Sequence, residues 1–105
     1  MTYVAQGLDL APIDYISKSI RAFGFNCVRL PYSLEMYYSN DTVADATVEK
    51  NPGFKGMTGM EVFDKVVESL TTNGLLIVLN NHVSNAGPCC STTDNNGMWY
   101  NDNFP

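Results

Sequence analysis

Arg29 sits in the run Val28, Arg29, Leu30, and alternation along a strand places it on the opposite face from both neighbours. An unpaired charge buried there would be costly, so the position implies a partner. That partner is either a carboxylate held for stability, or a catalytic carboxylate or ligand hydroxyl at the mouth of a site. His82, the single histidine, follows Asn80 and Asn81 directly after a run of aliphatic residues. An imidazole at a strand end is available to hydrogen-bond a ligand, and serves equally as a satisfied structural group. Asn80 and His82 are two residues apart and so share a face of an extended chain. Trp99 and Tyr100 offer flat apolar faces with a polar edge, which suits stacking on a sugar ring or plugging a long loop against a rim.

The carboxylates tell a different story. Glu35 is the one glutamate beside the arginine-bearing stretch, whereas Glu61 and Glu68 read as solvated helix residues. Glycoside hydrolysis needs two carboxyl groups, roughly 5 Å or roughly 6.5–9.5 Å apart, and the sequence supplies no such pair. With one histidine and no carboxylate pair beside it, neither a metal site nor another cofactor is expected.

The elements that must hold these residues are legible in the patterning. Pro12 suits a first helical turn, Asp14 favours the positive end, and Ile13, Ile16, Ile20 and Phe23 recur at helical spacing until Gly24 stops them. Cys27, Val28 and Leu30 predict a short strand over 26–31, closed by Pro31, which cannot donate to a ladder. Residues 33–57 form a long connection without sustained periodicity. Thr58 and Glu61 have capping-box spacing and start a second helix near Gly59, with Val62, Phe63, Val66, Val67 and Leu70 as its apolar stripe and Asn73-Gly74 as its end. Leu75 to Leu79 predicts a strand buried on both faces, since five aliphatics leave no polar side for water. Helix, strand, helix, strand implies parallel pairing through a crossover, an α/β layer. Residues 80–105 read as a long loop at the carboxyl end of a strand, where α/β folds build binding sites.

Composition narrows the partners. The chain has 105 residues, four lysines and two arginines, and a net charge of −5, which argues against a nucleic-acid partner. No apolar run reaches the roughly 18 residues of a membrane-spanning helix, so no membrane partner is expected. Charged residues make up 16% against a usual quarter or so, while asparagine, tyrosine and glycine are plentiful, which leans towards an uncharged, hydroxyl-rich ligand. Cys27, Cys89 and Cys90 cannot all pair within the chain, and the sequon Asn40, Asp41, Thr42 hints at secretion. The opening MTYVAQGLDLAP carries no export signal, so any such signal is expected to have been removed or never cloned.

Three segments together are specific enough to suggest a family. GFNCVRLPYS (24–33), GLLIVLNNHVS (74–84) and CCSTTDNNGMWYND (89–102) resemble glycoside hydrolase family 5, the cellulase family, particularly fungal secreted members. The resemblance covers essentially the whole chain. It implies a partial (β/α)8 TIM barrel, with residues 1–105 as one partial domain supplying helix 1, strand 2, helix 2, strand 3 and the following loop. It also implies a retaining glycosidase acting on β-linked glucans, mannans or related glycosides, in a secreted parent protein. The family's arginine ending strand 2 falls on Arg29 and its histidine ending strand 3 on His82. Its two catalytic glutamates end strands 4 and 7, which this chain does not reach, so the isolated chain is expected to be inactive. Asn80 departs from the family, where aspartate is common, and so does Pro88, near which relatives carry an aromatic. A non-catalytic carbohydrate-binding or interaction protein derived from the barrel is the alternative. Either way, two strands without flanking neighbours expose edges and a face, and oligomerisation or aggregation is expected.

Overall fold

The structure, a computed structural model, describes residues 4–86 and 102. Helix α1 (Ile13–Ala22) leads to strand β1 (Cys27–Ser33), short helix α2 (Leu34–Tyr38), two 3-10 turns (Asp45–Val48 and Pro52–Phe54), helix α3 (Gly59–Thr72) and strand β2 (Leu76–Val83). The strands pair in parallel, Cys27 opposite Leu76 through Tyr32 opposite Asn81, so the crossover inferred from the element order is present.

Both long helices end by the same device. Gly24 has φ +91° and Gly74 has φ +80°, left-handed values that cost a residue with a Cβ but not glycine. Around them run the paired bonds of a Schellman motif: Gly24 N–H to Arg21 C=O with Phe25 N–H to Ile20 C=O, and Gly74 N–H to Thr71 C=O with Leu75 N–H to Leu70 C=O. Each turn feeds the chain from a helix straight into a strand. The second also packs the apolar residues that flank it, since Leu70 and Leu75 are both in the core.

At its start, α3 carries the expected capping box in full, Thr58 N–H donating to Glu61 Oε2 at 2.8 Å and Glu61 N–H to Thr58 Oγ1 at 3.3 Å. Its stripe buries Val62, Val66 and Leu70 against Leu30, Leu75, Val43, Val48 and Leu8, each such side chain contributing about 1.5–3 kcal/mol of transfer free energy. Helix α1 sets Ile13, Ile16 and Ile20 against the same core. Phe23, expected in that stripe, is 81% exposed, because it caps the helix and has already turned off its apolar face. The two helices meet through small polar groups. The buried Ser17 Oγ lies 2.8 Å from Ser69 Oγ, which donates on to the Asp14 carboxylate at 2.6 Å.

Both strands run further than the sequence predicts. The parallel ladder, opened by Leu76 N–H donating to Asn26 C=O, uses the even-numbered residues of β1. Pro31 therefore turns its missing N–H to the other edge, and β1 continues through it to Ser33. Strand β2 correspondingly continues through Asn80, Asn81 and His82, because pairing with β1 outweighs the poor strand propensity of asparagine. The expectation that residues 75–79 are buried on both faces is incorrect. Leu75 is 2% exposed, but Leu76 is 70% and Val78 53% exposed on the face away from the helices, and Leu79 is 62% exposed on the helix side. A two-stranded sheet with helices on one side has a second face against which, among the described residues, nothing packs.

The connection from β1 to α3 is ordered by local caps and one distant one. Ser33 Oγ accepts from Met36 N–H and starts α2, and Thr42 bridges Thr58. Asn51, which the sequence offers only as a loop residue, is buried and makes three bonds. Its Oδ1 accepts the Ile13 N–H at 2.9 Å, and its Nδ2 donates to Leu8 C=O at 2.9 Å and Ala11 C=O at 3.0 Å. Pro12 offers no capping side chain, so the first amide of α1 is capped from 38 residues away.

Candidate functional site

Val28 and Leu30 pack on the core, and alternation sends Arg29 to the face that carries no helices. Register then carries the same face across to β2: Arg29 lies opposite Val78, and Pro31 opposite Asn80. Arg29, Asn80 and His82 therefore share one face of the parallel pair, Arg29 in mid-strand and the other two nearer the carboxyl end. They are borne by the sheet rather than by a loop, which fixes their backbones more firmly than the sequence alone implies.

Arg29 and His82 are exposed and Asn80 is half-buried. The expected cost of burying the Arg29 charge does not arise, since solvent reaches it; among the described residues the one salt bridge is Lys65 to Glu68 on the surface of α3. Asn80 Nδ2 lies 3.1 Å from His82 Nδ1. An amide nitrogen only donates, so Nδ1 accepts, and the proton of a neutral ring sits on Nε2. The face thus presents a guanidinium with several donors, an amide and an imidazole N–H, a set suited to hydroxyl groups of a neutral ligand.

His82 also occupies a special place in the ladder. Tyr32 pairs with Asn81 and Ser33 with Val83, so His82 is the extra residue of a bulge on β2. Bulges re-aim side chains, and they are common beside functional sites. Beyond this bulge the chain is tied back to α2. Glu35 N–H donates to Ser84 C=O at 2.8 Å, and the Glu35 carboxylate accepts the Ala86 N–H. Glu35 is thus engaged with backbone, while Glu61 closes the α3 capping box and Glu68 pairs with Lys65.

Trp99, Tyr100, Cys89 and Cys90 lie outside the described residues. Cys27 is an exposed free thiol at the amino end of β1. Among the described residues no three His, Cys, Asp or Glu side chains come together as a metal site, and no helix is long and apolar enough to cross a membrane. On the helix side, Tyr32, Leu34, Tyr37, Tyr38, Met60, Phe63 and Leu79 line an apolar groove of about 260 Å³.

Comparison with known proteins gives a consistent result. The model of the cellulase family, glycosyl hydrolase family 5, matches residues 5–104. A glycosyl hydrolase 5 family protein of Chamaecyparis obtusa is 32% identical over 90% of the chain, and an endoglucanase of Paenibacillus polymyxa 26% identical over 98%. The chain spans only 20% and 24% of those two proteins. Neither source adds to the fungal character expected from the motifs. Among solved structures, an endocellulase from Pyrococcus horikoshii in complex with cellotetraose superposes with TM-score 0.79 at 23% identity, over 99% of this chain and 26% of that one. The catalytic domain of the major endoglucanase of Xanthomonas campestris gives TM-score 0.77 at 22% identity, over 97% and 28%. The fold is therefore a piece of a TIM barrel, as expected.

Proposed function

Because the chain belongs to glycosyl hydrolase family 5, the cellulase family, we propose that it is one sector of a β-glycanase barrel and supplies substrate-facing residues to a retaining hydrolase. Arg29, Asn80 and His82 are those residues. The observation that carries this reading is their common face on a parallel strand pair, approaching the carboxyl ends where barrel enzymes bind substrate. Residues 1–105 act as a single partial domain, and Trp99 and Tyr100 are proposed as the stacking surface that completes the sugar contact.

The ligand is a β-linked glucan or a related glycan. Cellotetraose bound to the Pyrococcus horikoshii endocellulase supports that class, and the extracellular endoglucanase of Xanthomonas campestris supports a secreted parent. Donors without a paired acid and nucleophile bind and orient a glycoside but do not cleave it. The chain by itself is accordingly proposed to be inactive. Purified chain incubated with an aryl β-glycoside should release no more aglycone than buffer; release that disappears in Glu35→Gln would overturn the assignment. Titration calorimetry with cello- and mannooligosaccharides separates a binding surface from an inert one.

A further inference from the structure

We propose that Glu35 is a positioning residue for His82, holding the bulge that aims the imidazole. This deepens the reading of His82 as ligand-facing and rests on it. Upstream of the bulge, β2 is fixed by its ladder with β1 as far as Asn81 opposite Tyr32. Downstream, its course depends on how Val83 to Ala86 are held. Ser33 pairs with Val83, and its hydroxyl caps α2, so the start of α2 and the end of β2 are joined at one point. Glu35, in the first turn of that helix, adds two bonds on the far side: its N–H to Ser84 C=O, and its carboxylate accepting the Ala86 N–H. His82 therefore lies between two fixed stretches of chain. An extra residue in that position has little freedom to slip, and the ring meets Asn80 Nδ2 at 3.1 Å.

The part Glu35 plays is that of an acceptor with reach. Its carboxylate must span from α2 to the Ala86 amide, which glutamine's carbonyl can also do. Alanine cannot, and aspartate, one methylene shorter, falls short. The bond to Ala86 asks for an acceptor at that reach, so glutamine should keep it.

The single histidine gives a clean probe, because the 15N signals of its ring belong to one residue. In the intact chain, without any glycan, the His82 ring should show one dominant tautomer, Nδ1 accepting and Nε2 protonated. In Glu35→Ala the two ring signals should move towards each other as the ring averages, and in Glu35→Gln they should keep their wild-type positions. Thr58→Ala, which weakens the distant capping box of α3, should lower the melting temperature without moving the ring signals. If Glu35→Ala does not fold, Glu35→Asp is read in its place. Unchanged ring signals in the alanine or aspartate variant overturn the proposal, as does a glutamine variant that behaves like alanine. The sugar reading fails separately, if cellotetraose moves no ring signal of the wild-type chain.

Discussion

Asn51→Ala should be among the most damaging single changes in the chain outside the apolar core. Its side chain is 8% exposed and holds three backbone groups from the amino-terminal segment: Ile13 N–H, Leu8 C=O and Ala11 C=O. A net hydrogen bond contributes about 1 kcal/mol, which sums to about 3 kcal/mol. The bonds to Ile13 and Ala11 are only partly buried, so water recovers some of that, and the expected loss is roughly 2–3 kcal/mol. For a chain of this length such a loss lowers the melting temperature by roughly 10–20 °C. The assay is urea unfolding followed by far-UV circular dichroism at fixed protein concentration, with the melt as a second measure. Asn51→Asp sharpens the test. It keeps an acceptor for Ile13 N–H and adds a favourable charge at a helix start, but turns an oxygen towards the two carbonyls where the amide donated. The aspartate variant should be at least as unstable as alanine at neutral pH. A loss below about 1 kcal/mol for alanine, or an aspartate variant as stable as wild type, would refute the reasoning.

Two further outcomes follow from the same geometry. Gly74→Ala should cost about 1–2 kcal/mol through its left-handed φ of +80° alone, because no atom lies within 4 Å of the added Cβ; calorimetric melting checks it, and an unchanged melt contradicts it. The exposed Leu76 and Val78 on the helix-free face should drive self-association, so sedimentation velocity should show species above monomer that Leu76→Lys with Val78→Lys reduces; a monomeric wild-type chain with a sharp melt would oppose this.

How much of this was readable beforehand depended on whether the signal was local. The T-x-x-E spacing at Thr58 and Glu61 and the glycines at 24 and 74 encode their own backbone geometry, and the structure realises them as expected. The common face of Asn80 and His82 followed from period-two alternation, and their contact bears it out. Strand length did not follow, because whether Pro31 ends β1 depends on which edge its missing N–H faces, a property of pairing with β2. The exposure of Leu76 and Val78 likewise depends on what stands against the sheet, not on their own hydrophobicity. The polar contacts that order the fold were the least visible. Asn51 reaches 38 residues back and Ser69 52 residues back to Ser17, and nothing in the neighbouring sequence marks them. Glu35 carried a partial signal, an acidic residue in the first turn of a serine-capped helix, but its bond to Ala86 spans 51 residues.

The most direct test of the central claim is a cellotetraose titration followed by amide and side-chain NMR. Selective shifts of the His82 ring, the Asn80 side-chain amide and the Arg29 guanidinium, with those of His82 and Arg29 abolished in Asn80→Ala, are the predicted result. Shifts confined to Tyr37, Tyr38 and the other groove residues on the helix side, or no shifts at all, would contradict it.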